Sequence, residues 1–190
     1  QKVNGGEVRQ ERIVPVKQGI FRIKLGIIIA RYSRGDDIAC LRSDFVEIYE
    51  EWIMSFFSPD AYNENLKMLS LAVLFEIEEN LIALTKRKMK EQEVKDWLLF
   101  FLIGEEQPDL QLLFPDRFQI MKALVEEKET DKPRLLEKYL KENWYNEKCD
   151  CYEAHKSSQN IYCGYWSFEA GTIAKKLKLD DSNLKDMPYY

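Results

Sequence analysis

Four side chains near the C-terminal end are of the types that bind metals or move protons: Cys149, Cys151, His155 and Cys163. Zinc takes four nitrogen or sulfur ligands in a closed structural site, usually with two to four residues between paired cysteines. The spacing here, C-x-C-x3-H-x7-C, fits that rule poorly, so unrelated cysteines near a loop are the better reading and no metal is expected. His155 is the single histidine. It could act as a general base, but the sequence offers no obvious nucleophile beside it, so a hydrogen-bonding role is favoured. No Gly-rich phosphate loop, HExxH helix or GxSxG elbow is present, and no cofactor is expected.

A carboxylate poses the sharper question. In YCGYWSFEAGTIAKKL (162–177), Trp166, Glu169, Ile173 and Leu177 are spaced by three, four and four, which on a helix puts them on one face. Three of the four are apolar. An ionised glutamate buried there alone would be costly, so it must be protonated or have a partner. Tyr162, Tyr165, His155 and Arg31 are candidate partners. A satisfied polar anchor that fixes helix packing is preferred to a catalytic acid, because no second catalytic group is placed by the sequence. A small enzyme with Glu169 and His155 in one cleft is the alternative. The acid pairs Asp36–Asp37 and Asp180–Asp181 sit where helix capping accounts for them.

Charge is unevenly distributed. From Asp36 through Glu79 eleven acids face two bases, Arg42 and Lys67, a net charge of −9 against −5 for all 190 residues. The remainder of the chain therefore carries +4. On the segment after Asp36, the residues Asp37, Asp44, Glu47 and Glu51 lie off the apolar stripe and roughly on one face. Such a face is either merely solvated or steers and holds a basic protein. A nucleic-acid binder would show a basic face, so direct nucleic-acid binding is disfavoured. The longest apolar runs, LAVLF (71–75) and WLLFFLI (97–103), are far short of the ~20 residues a membrane span needs. No secretory leader is visible, and reduced thiols in a cytoplasm are the default.

The elements that must position these groups read as helices almost throughout. Eight Gly and six Pro are too few for the many turns of an all-β fold. Ile13, Val16, Ile20, Ile23 and Ile27 repeat at the spacing of one face of a first helix, with Pro15 in its first turn. RYSRGDD (31–37) reads as a tight hairpin, closed by Gly35 and capped by Asp36 or Asp37. The second helix, about 38–57, carries the stripe Ile38, Leu41, Phe45, Ile48, Trp52 and Phe56. MLSLAVLF (68–75) is apolar nearly all round and belongs at the centre of the structure. KRKMK (86–90) is a solvated helix end or a connection. Further helices are expected at 94–103, from Pro115 to about Glu129, and from Asp131 through Leu136, Tyr139, Leu140 and Trp144. The stretch 149–160 reads as a loop. The fold class is thus all-α, a compact multi-helix bundle of antiparallel helical hairpins. Its expected segments are 1–87, a long hairpin plus a central buried helix, and 88–190, carrying the GYWxxE signature.

The run HKSSQNIYCGYWSFEAGTIAKKLKLDDSNLKDMPYY (155–190) resembles the signature of PoNi-type immunity proteins. In that family a His precedes a Tyr-x-Gly-Tyr-Trp-x-x-Glu helix, and an Asp-Asp-Ser-x-Leu turn leads to Pro-Tyr-Tyr. Here these are His155, Tyr162, Gly164, Tyr165, Trp166, Glu169, Asp180, Asp181, Ser182, Leu184, Pro188, Tyr189 and Tyr190. LLEKYLKENWY (135–145) is similar to the family's Leu-x-x-Tyr-Leu-x-x-Trp-Tyr helix, with one extra residue before Trp144. YSRGDD (32–37), with Tyr32 and Gly35, is similar to its first segment. The departures are Gly171, where the family tends to have Ala, and the end at Tyr190, where the family usually continues with Pro.

The resemblance implies an antidote to a PoNe-type DNase toxin, of the PD-(D/E)xK nuclease class, delivered between competing bacteria. Such an antidote stays in the producer's cytoplasm and inactivates the toxin by binding it, without being an enzyme. A DNase must hold phosphates, so the cognate toxin should present a basic surface. The toxin-facing surface is expected to include Asp37, Asp44, Glu47 and Glu51, with the loop acids Glu105, Glu106 and Asp109, or the 149–160 loop, able to serve equally well. A general interaction module with some other basic partner is a further alternative, and exposed aromatics would support a homodimer.

Overall fold

The structure, a computed structural model, describes residues 12–105, 107–126, 131–147, 149, 151–159 and 161–190. The described residues are helical or irregular, with no strand among them. Packing divides the chain into two units, residues 1–57 with 161–164, and residues 58–160 with 165–190.

The first unit is built on α1 (Ile13–Arg34) and α2 (Ile38–Glu51). Helix α1 stops at Gly35, whose φ of 86° is one that a side chain would resist. The Gly35 and Asp36 N–H groups donate to the carbonyls of Tyr32 and Arg31 at 2.9 and 3.1 Å, so the last turn does not end on orphan acceptors. Asp37 then caps α2 by accepting from the Cys40 N–H at 3.0 Å. Lys24 pairs with Glu51 and Arg31 with Asp44, so numbers rise on one helix as they fall on the other.

The face of α1 that carries Ile20, Ile23 and Ile27 is not the buried one. Phe21, Leu25, Ile28 and Ile29 are buried, whereas Ile20, Ile23 and Ile27 are 41%, 65% and 53% exposed. Two apolar stripes run along this helix, and periodicity cannot choose between them. The stripe holding the aromatic Phe21 goes inside, where its ring packs 5.5 Å from that of Phe56. On α2 the expected stripe is buried from Leu41 onward, while Ile38 stays exposed. Helix α2 ends in a π-helical turn, Trp52–Phe56. Its wider winding turns Trp52, Ile53 and Phe56 all inward. The segment 161–164 belongs to this unit, and the Ser33 hydroxyl donates to the Cys163 carbonyl at 2.7 Å.

In the second unit α3 (Tyr62–Leu74) is central, as its all-round apolar sequence requires. It packs against both α5 (Trp97–Leu102) and α8 (Phe168–Leu177). Thr172 of α8 donates its hydroxyl to the Ser70 carbonyl of α3 at 3.0 Å. Between them in sequence lie α4 (Glu79–Glu91), α6 (Pro115–Glu126) and α7 (Lys132–Tyr139). The basic stretch 86–90 forms the last turns of α4, where Lys88 and Lys90 complement the helix's negative end. Asp96 caps α5, accepting from the Leu99 N–H at 2.9 Å, and also ties down the Leu113 N–H at 2.8 Å. Asp131 caps α7 through the Arg134 N–H.

Helix α7 runs into a second π-helical turn, Leu140–Trp144. A π turn holds about one residue more than an α turn because its hydrogen bonds close from i to i+5. The turn keeps Leu140 and Trp144 both buried.

Candidate partner-binding surface and the buried signature

Glu169 sits in the first turn of α8 and is 6% exposed. Its Oε1 accepts from the Tyr139 hydroxyl at 2.8 Å. None of the partners expected from the sequence fills this role. Tyr139 lies on the apolar stripe of α7 and is fully buried, so its phenol needs an acceptor in the core. Burial, then the adjacent Glu169 charge, push the Tyr139 phenol well above its ordinary pKa. At neutral pH it is therefore a firm donor, and the pair joins α7 to α8. Sequence reading could have found it: a tyrosine inside a stripe of leucines demands an acceptor as surely as a glutamate there demands a donor.

Trp166 is not on the helix with Glu169, contrary to the expected face. The helix begins at Phe168 after Ser167, and Trp166 lies half-buried in the extended approach. That approach is pinned by the Ser167 N–H, which donates to the Tyr189 carbonyl at 2.7 Å. The Tyr189 ring packs 5.0 Å from Trp144 and 4.9 Å from Tyr145, and Tyr190 donates its hydroxyl to Asp181 at 2.7 Å. The Pro-Tyr-Tyr end thus closes over the π turn that carries Trp144. Tyr165 meets the Tyr145 ring at 5.0 Å, and its hydroxyl bonds Nδ1 of His155, which is exposed. Glu169 and His155 therefore serve different tyrosines, one buried and one at the surface. Gly164 has a φ of 117°, a conformation that favours glycine.

The acidic candidates divide by what they already hold. Asp37 is the α2 cap, and the Cys40 N–H keeps its carboxyl below the usual aspartate range. Asp44 is bound by Arg31, and Glu51 by Lys24 at 3.1 Å. Glu47 is exposed and makes no ion pair among the described residues. Glu105 pairs with Lys90 at 2.6 Å, which holds its carboxyl down, and Asp109 is exposed. Glu106 lies outside the described residues. Asp36, unassigned among these candidates, is gripped by both Arg34 and Arg31, and its carboxyl sits far below the ordinary range.

Cys149 is buried and accepts a weak bond from the Cys151 N–H, and among the described residues no group of three or more His, Cys, Asp or Glu side chains is placed to hold a metal ion. No helix among the described residues is long and apolar enough to cross a membrane. The groove along α7, between Asp131 and Glu142, is lined by charges that pair along their own helix, Lys141 with Glu137 and Lys138 with Glu142.

These features define an all-α protein in which Glu169, Trp144, Tyr145 and Tyr189 of the signature hold its own helices and C-terminal end together. Two family models cover almost all of it: residues 4–86 match the N-terminal model, and residues 94–190 the C-terminal model, of the PoNe immunity proteins (PoNi). The chain belongs to that family. No curated protein and no solved structure matches it.

Proposed function

We propose that the chain binds and neutralises a cognate DNase toxin of the PoNe type, protecting the producing cell during competition between bacteria. The observation that carries this reading is the match of both halves of the chain to PoNe immunity proteins. Members of such a family act by occupying a toxin, so the chain needs no chemistry of its own. A DNase holds phosphates with cations, and the acidic stretch 36–79 suits a partner of that charge. The acids Asp37, Asp44, Glu47 and Glu51 form the toxin-facing set in this reading, with Glu105, Glu106 and Asp109 as a second patch. Residues 1–87 and 88–190 are its two family segments.

Co-expression with the nuclease gene beside it tests the reading. Growth should be rescued and the two proteins should purify as a stable complex; continued killing, or no complex, rejects it. Within the acidic set Glu47→Lys is the clean probe, since Glu47 makes no ion pair among the described residues. Its toxin association rate should fall, most at low salt. An unchanged rate would remove Glu47 from the contact.

A further inference from the structure

The outer surface of the α1–α2 pair has two unlike halves. On α1, Ile20, Ile23 and Ile27 form one exposed stripe at helical spacing. Together they expose on the order of 300 Å² of apolar surface, at the low end of the largest patch on a typical monomer, a feature that is often functional. Next comes a ridge of ion pairs, Lys24 with Glu51 and Arg31 with Asp44, where the α1 cations are already neutralised. Beyond the ridge α2 presents Glu47 and Glu50, both exposed and neither ion-paired among the described residues. Met54, 62% exposed, follows on the same side of α2.

This ordering is that of an interface with an apolar centre and a charged rim. The helix could have buried either of two apolar stripes, and it keeps Ile20, Ile23 and Ile27 outside. The ridge does not attract a charged partner, because its charges cancel. Of the acids of α2, Glu47 and Glu50 are the ones left unpaired among the described residues to meet a partner's cations. We propose that the Ile20–Ile23–Ile27 stripe is the centre of the toxin-binding surface, and that it packs on an apolar strip of the nuclease bordered on one side by cations. The proposal rests on the reading of the chain as an inhibitor that binds a DNase. It moves the source of affinity from acidic residues to isoleucines, and assigns the free acids of α2 to steering and alignment.

The test uses the purified chain and a catalytically inactive form of the adjacently encoded nuclease. Both positions of the variant Ile23→Asp/Ile27→Asp are mostly exposed, so its melting temperature should stay near that of the wild type. Its toxin affinity should fall on the order of 100-fold or more, as when central contacts of an interface are lost. The pair Ile23→Ala/Ile27→Ala, which keeps good helix formers, guards against a folding artefact and should lose about tenfold. Leu113→Asp, at an exposed apolar residue of the second unit, should lose nothing. Affinity unchanged within threefold in both double variants overturns the proposal while leaving the inhibitor reading intact. A wild-type chain that does not bind the nuclease overturns both. A wild-type dimer that the aspartate pair converts to monomer, with nuclease affinity unchanged, assigns the stripe to a second copy of the chain and also overturns the proposal.

Discussion

Asp44 and Glu51 on α2 meet arginine and lysine at the surface, whereas Glu169 on α8 meets a neutral phenol in the core. Both arrangements satisfy a carboxylate, but water makes them unequal. At the surface, solvent competes for each partner, so an ion pair adds little to stability and mainly fixes how α1 lies along α2. In the core no water can replace Tyr139, so loss of one partner leaves the other stranded. The same contrast holds for apolar groups. The second unit closes Trp144, Tyr145, Tyr165 and Tyr189 against one another, while the first leaves an isoleucine stripe in solvent. Where the aromatic signature is densest its rings pack on one another, and where the α1 sequence looks most like a core its side chains stand in solvent.

The comparison breaks most easily at Glu169. Glu169→Ala leaves the Tyr139 hydroxyl buried without an acceptor and should cost about 1–3 kcal/mol. For a chain of this size each kcal/mol lowers the melting temperature by roughly 2–4 °C. Glu169→Gln keeps an acceptor in place and should cost less. A melting temperature unchanged in Glu169→Ala, with growth rescue abolished, would show that Glu169 acts on a partner and not on the fold.

Much of this contrast could be read before any coordinates. The helical fold follows from apolar spacing and the shortage of Gly and Pro. The first hairpin follows from Gly35 and Asp37, because local backbone chemistry alone demands them there. Three things escaped, two of them because they depend on a distant part of the chain. Whether α1 buries Phe21 or Ile23 is decided by the ring of Phe56. Tyr139 is thirty residues from Glu169 and on another helix. The π turns give no periodic signal of their own. The acids Asp44 and Glu51 were legible as charges but not as engaged charges, since the basic residues of α1 that meet them lie on a helix read for its isoleucines.

A smaller effect, of opposite sign, sharpens the contrast at two helical glycines. A Cβ on Gly171 of α8 would meet the Leu74 methyls at 3.8 and 3.9 Å, ordinary contact, and a Cβ on Gly26 of α1 would meet nothing within 4 Å. Alanine removes the entropic cost of glycine in a helix at either site, worth about 0.5–1 kcal/mol. Gly171→Ala should gain at least as much as Gly26→Ala, because only its methyl finds a neighbour. The glycine at this position is then a tolerated loss and not a packing requirement. A destabilised Gly171→Ala would mean that α8 and α3 lie closer than this contact allows.

The smallest effect separates surface from core by acid and salt. Arg34 and Arg31 depress the Asp36 carboxyl far below its unfolded value. A depressed carboxyl binds fewer protons folded than unfolded. Its stabilisation is complete above about pH 4, where an unfolded aspartate is ionised, and drains away as the pH falls below that. The pair is solvated, so salt should weaken it at any pH. Asp36→Asn should therefore melt slightly below the wild type at pH 7 and low salt, and the gap should close both in acid and in 1 M salt. The gap between Glu169→Gln and the wild type should survive the salt, because ions do not reach a contact that water does not reach. If salt closes both gaps alike, the carboxylate on α8 is as wet as those on α2, and the distinction between the two regions is lost.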